Sequence, residues 1–196
     1  APLLPEAAEA FIARRVTDVA GFVLAGLGLG LGLTLISYDA RDPSINNAAT
    51  GIEPHNVLGA PGAFISDALL QTLGLASYLF AVAFIVWGLR IFMRRPVGHY
   101  SQRLMLLLGA ALACSVMLAR VPSFESWGMG AYLGGSAGAL IFTNATAHLQ
   151  AWIGKPAFVF MAVVSFGVFA SCYLLALGVS LGEWTSGFGS LREMAI

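Results

Sequence analysis

Four long apolar runs, at about 17–37, 67–92, 103–120 and 156–181, carry no charged side chain in their middle. A helix needs about 20 residues to cross ~30 Å of hydrocarbon, so each run is long enough, or nearly so, to span a bilayer. The third is the shortest, and 104–119 within it holds no charge at all. Backbone polar groups have no water to bond in lipid, which leaves only helices and closed barrels as spanning structures. The Gly-Leu alternation over 26–33 has the period of a strand, but an isolated strand cannot span, so it reads as helix. Charged residues make up 10% of the 196 positions and hydrophobic ones 58%; a soluble domain carries about 25% charge. The expected fold class is therefore all-α: a polytopic integral membrane protein with four transmembrane helices.

Read as helix, the first run places Gly26/Gly30 and Gly28/Gly32 as two small-xxx-small pairs on different faces. Such pairs allow close helix approach, which serves either subunit contact or packing within one bundle. Cys114 and Cys172 lie inside apolar runs and read as packing residues rather than a disulfide. The ten basic and ten acidic residues cancel, leaving no global field to attract nucleic acid.

Basic residues set the orientation. Arg14 and Arg15 precede the first run; Arg90, Arg94, Arg95 and Arg103 surround the connector at 91–102; Arg192 follows the last run. The other two loops hold Arg41, Arg120 and Lys155. Seven against three places both termini and the connector in the cytoplasm, with loops 38–66 and 121–155 on the opposite side. The same arginines could meet lipid or DNA phosphates, but topology explains them without a ligand. Within the second loop, 134–152 suits a short interfacial helix, with Leu140, Ile141 and Leu149 apolar among Asn144, His148 and Gln150. Trp87, Trp127, Trp152 and Trp184 read as interfacial anchors.

Ionisable groups at mid-depth would mark a pump or membrane enzyme, and none stands there. Asp18 and Glu183 lie at span ends, and Asp67 opens the second run, where a carboxylate suits a helix N-terminus. His55, His99 and His148 are scattered over three loops, without HxxxH or CxxC spacing. Gly154-Lys155 is followed by Pro156 and lacks the upstream glycine of a phosphate loop. These residues offer no catalytic, cofactor-binding or metal constellation.

Ser37-Tyr38 followed by Asp42-Pro43-Ser44, then Asn56-Val57-Leu58-Gly59, Gly62-Ala63, Asp67, Gly74 and Tyr78, resembles the N-terminal membrane domain of the FtsK/SpoIIIE DNA translocases. Gly134-Gly135 with Gly138 extends the resemblance, which runs from about Arg14 to Gly182. Asp42-Pro43-Ser44 should turn the chain on leaving the membrane, and Gly59 and Gly62 should permit close backbone approach. The resemblance implies a tail at 1–16, a four-helix domain at 17–182, and at 183–196 the start of a cytoplasmic linker to a motor outside this chain. It implies a membrane anchor of the bacterial inner membrane at the septum, both termini cytoplasmic, coupling chromosome segregation to cell division. Lipids and other division proteins would be its partners, with homo-oligomers formed as hexamers through the motor. ATP, magnesium and DNA would belong to that motor. The chain begins at Ala1 and is expected to be part of something longer. The competing expectation is a small four-helix transporter or channel subunit for a neutral solute; a membrane enzyme is the weakest.

Overall fold

The structure, a computed structural model, describes residues 6–44, 53–95, 98–123 and 132–178. Among them the chain is all-α: α1 (Glu6–Ile36), α2 (Gly59–Leu73), a 3-10 turn (Gly74–Ser77), α3 (Tyr78–Phe92), α4 (Tyr100–Leu118), α5 (Gly135–Ile153) and α6 (Ala157–Leu177). Four segments are long and apolar enough to cross a membrane: Ala8–Ile36, Gly59–Phe92, Tyr100–Leu118 and Ala157–Leu177.

α1 starts well before the expected 17, because Glu6–Val16 is rich in Ala and Glu and free of Gly and Pro. Most of the expected tail is thus helix. The second run differs more. Its helix begins at Gly59, inside the expected loop 38–66, and is interrupted at Gly74–Ser77. Gly74 takes φ +61°, the Leu75 N–H donates to Leu133 O at 3.0 Å, and the Ser77 hydroxyl donates to Leu69 O at 2.7 Å. These bonds take the place of the interrupted helical ladder.

α1 and α3 run antiparallel in close contact. A Cβ on Gly21 would stand 2.6 Å from the Phe92 nitrogen, and one on Gly28 2.7 Å from that of Ile85. Gly88 presses against Ala25 in return. The two predicted glycine pairs do face differently. Gly28 and Gly32 look onto α3, Gly32 with 3.8 Å to Ala81 Cβ, whereas a Cβ on Gly26 meets open space and one on Gly30 meets only Leu58.

α4 and α6 form the other pair, sealed to α3 by Ala83, Trp87, Leu107, Ala176 and Leu177. Trp87 corrects the anchor reading: it is 5% exposed, and its Nε1–H donates to Ala176 O at 2.9 Å. A buried indole with a carbonyl within reach is a core residue. Trp152, on α5, is 87% exposed as an anchor would be; Trp127 and Trp184 lie outside the described residues. Cys114 is buried on α4, and both cysteines are free thiols. α5 matches the helix expected in the second loop. It meets α4 at Gly138 and α6 through Phe142, whose ring stacks on Phe158 at 6.0 Å.

Candidate functional site

The end of the bundle opposite the α3–α4 connector, here called distal, is where polar side chains converge. As α1 ends, Ser37 and Thr34 face the returning chain. Asp39 starts a turn: its carboxylate accepts from Arg41 N–H at 2.9 Å, and its carbonyl from Asp42 N–H at 3.1 Å. That turn aims the buried Asp42 carboxylate at the irregular segment before α2. It accepts the His55 N–H at 2.8 Å and the Asn56 N–H at 2.9 Å, and His55 Nδ1 lies 3.2 Å away. A carboxylate bound by main-chain N–H groups is a clasp, not a base.

Asn56 is the centre of this knot. Its Nδ2 donates to Thr34 O at 2.8 Å, while its Oδ1 accepts from the Thr34 hydroxyl at 3.0 Å and the Leu58 N–H at 3.1 Å. Ser37 Oγ accepts from Val57 N–H at 3.1 Å, and Ser66 Oγ donates to Gly62 O at 2.9 Å. Gly62 is needed because a Cβ there would collide with Asn56 Oδ1 and stand 2.6 Å from Thr34 Oγ1. Gly59, at φ +64°, makes the entry to α2.

Asp67 is misplaced by the expectation that it caps a helix. It lies inside α2, 2% exposed, accepting from the Tyr38 hydroxyl at 3.2 Å and Gln71 Nε2 at 2.6 Å. Its partner is the end of α1, so its role is to tie two helices rather than to start one. Burial and then the neighbouring Asp67 charge push the Tyr38 hydroxyl up to about 12. An unfolded tyrosine titrates near 10, so this contribution to stability is complete below about pH 10 and lost as pH rises towards 12. Thermal midpoints measured across pH 9–12 should fall more steeply for the wild type than for Tyr38→Phe.

Gly134-Gly135 forms a second clasp. Ser115 of α4 donates its hydroxyl to Gly134 O, and a Cβ on Gly134 or Gly138 would strike Ser115 O. Gly135 takes φ +66°, and a Cβ there would stand 2.6 Å from Gly74 N and Thr72 O. The α5 entry is therefore built against the break in the second apolar segment.

The predicted topology residues separate. Arg94 pairs with Asp18 at 3.4 Å, linking α1 to the connector; Arg14, Arg15 and Arg95 are exposed, with Arg15 over the Phe11 ring at 5.2 Å. The remaining histidines stay apart, His99 before α4 and His148 exposed on α5. Thr34, Ser66, Gln71 and Ser115 were not foreseen. For Thr34 and Ser115 the signal is a small polar residue inside an apolar run, which the hydropathy of the run conceals; Gln71 is a larger polar residue in such a run, and Ser66 falls at the edge of the expected loop.

Over residues 13–188 the chain matches the model of the 4TM region of DNA translocase FtsK/SpoIIIE. The chain belongs to that family. It is 33% identical to DNA translocase FtsK of Azospirillum brasilense over 99% of its length and 30% of the relative's. Identity to the FtsK of Caulobacter vibrioides is 34% over 83% of the chain and 20% of the relative, and to that of Agrobacterium fabrum 32% over 67% and 15%. The chain thus spans a third or less of these relatives. No solved structure matches it. With the family established, the chain is a multi-pass membrane region of FtsK/SpoIIIE type, and the resemblance motif acquires a geometry: Asp42, Asn56, Gly62 and Asp67 bind one another's neighbours at one end of the bundle.

Proposed function

We propose that this four-helix region holds a cell-division DNA translocase in the bacterial inner membrane at the septum, its termini and the α3–α4 connector cytoplasmic and its distal loops turned to other division proteins. The observation that carries this reading is the distal knot. Its polar groups are spent on fixing two loops and two helix ends to each other, which suits a display surface and leaves them poorly placed to line a solute path. The basic residues support the orientation, since Arg90, Arg94, Arg95 and Arg103 gather at the connector end. ATP, magnesium and DNA would then be handled by a motor beyond this region, and assembly into hexamers would run through that motor. A fluorescent fusion of the full-length protein should form a band at the septum of dividing cells; uniform membrane fluorescence would overturn the reading.

Contacts between copies within the membrane are proposed for the Gly26/Gly30 face, where, among the described residues, a Cβ on either glycine would meet only Leu58. Gly30→Ile should weaken cross-linked oligomers with insertion intact. An unchanged oligomer would remove this face from assembly.

A further inference from the structure

Between α4 and α6, near the connector end, lies an open groove of about 540 Å³ lined by Ser101, Gln102, Met105, Leu106 and Cys172. Its wall is apolar along Met105 and Leu106 and turns polar at Ser101 and Gln102, one turn nearer the connector. Arg103 stands at this polar end of the same helix seam. Its Nη1 donates to Ala176 O at 3.2 Å and its Nε to Gly98 O at 2.9 Å, and Arg90 of α3 lies within charge–charge range.

Among the described residues, the helices that form the groove carry charge of one sign. α3, α4, α5 and α6 contain no Asp or Glu, and the acceptors of Arg103 among the described residues are main-chain carbonyls. α1, which does not line the groove, carries Glu6, Glu9 and Asp18 in its N-terminal half, and Asp18 pairs with Arg94. Arginine beside a hydrocarbon slot, with counter-charge missing from the helices that form the slot, is the complement of a molecule with an anionic head and an apolar tail. We propose that this groove is a binding site for an anionic phospholipid of the leaflet at the connector end, its acyl chain against Met105 and Leu106 and its phosphate towards Ser101, Gln102 and Arg103. The site does not depend on which side of the membrane that leaflet faces.

Cys172 lies in the groove and reports occupancy. In the full-length protein with Cys114→Ala and any cysteines outside this chain replaced, reconstituted in nanodiscs, alkylation of Cys172 by a neutral maleimide should be roughly tenfold slower with phosphatidylglycerol than with phosphatidylcholine alone. Arg103→Gln should lose most of that difference and Arg103→Lys keep it. Met105→Trp, a change at an exposed position that fills the groove without touching the arginine, should abolish the dependence on lipid. Equal labelling in both lipids overturns the proposal. A lipid effect that survives Met105→Trp assigns the preference to general surface charge and also overturns it. So does equal protection by inorganic phosphate in phosphatidylcholine nanodiscs, which would make the ligand a free anion.

Discussion

Asn56→Leu should be the most damaging single change at the distal end, costing roughly 3 kcal/mol or more. Leucine is similar in size, so the loss is not one of volume. It leaves Thr34 O, the Thr34 hydroxyl and the Leu58 N–H without the partner they now share. Each buried polar group so stranded costs about 1–3 kcal/mol. Gly62→Ala should reach a comparable state from the other side, since the added methyl takes the space of Asn56 Oδ1. The two changes are therefore expected to be non-additive. With Asn56 already truncated to Ala, the closest of the clashes is gone and those with Thr34 Oγ1 and Leu58 Cβ are left, so the further cost of Gly62→Ala should fall by about 1 kcal/mol. Thermal unfolding of the wild type, Asn56→Ala, Gly62→Ala and the double variant closes the cycle; additive effects would mean that Thr34 and Leu58, not Asn56, set the need for glycine at 62.

Gly88→Leu should have an effect of similar size at the other level of the bundle. Its Cβ would lie among backbone atoms of Ala25 and Gly21, which cannot swing aside as a side chain can. Overpacking of this kind costs typically 1–3 kcal/mol, and more where the neighbour is main chain. Leucine raises the tendency of a helix to enter the membrane, so insertion should be unharmed while α1 and α3 separate. Gly26→Leu is the control, because a side chain there enters open space. The readout is the yield of a disulfide engineered across the α1–α3 seam: high in wild type and Gly26→Leu, low in Gly88→Leu.

The two glycines show what kind of information a sequence exposes. Hydrophobic runs announce helices, and α4 and α5 begin and end within about three residues of expectation, because apolar length in one case and interfacial patterning in the other track helix length directly. Asp67 was misread for a definite reason. Gly59, Pro61 and Gly62 lower the hydropathy ahead of the run at 67–92, although the helix already includes them. Pro61 sits instead in the first turn of α2, where its missing N–H costs nothing, and Gly62 is small for the sake of a neighbour on α1. Trp87 was misread because an indole near a run's end is equally at home in the interface and against a free carbonyl. Pattern along a chain records local propensity; it does not record which distant carbonyl a donor will find. The order of residues in the family motif was legible, but their mutual contact was not, since Thr34 and Asn56 stand 22 positions apart.

The Asp42 clasp has a last consequence, for what the chain can absorb. By holding the N–H groups of His55 and Asn56 it brings within a few ångströms two chain positions that stand 13 and 14 residues apart in sequence. Lengthening a tethered excursion is cheap, about 0.6 kcal/mol for each doubling. An epitope or tag inserted between Ser44 and Glu53 should accordingly leave the thermal midpoint of the bundle nearly unchanged.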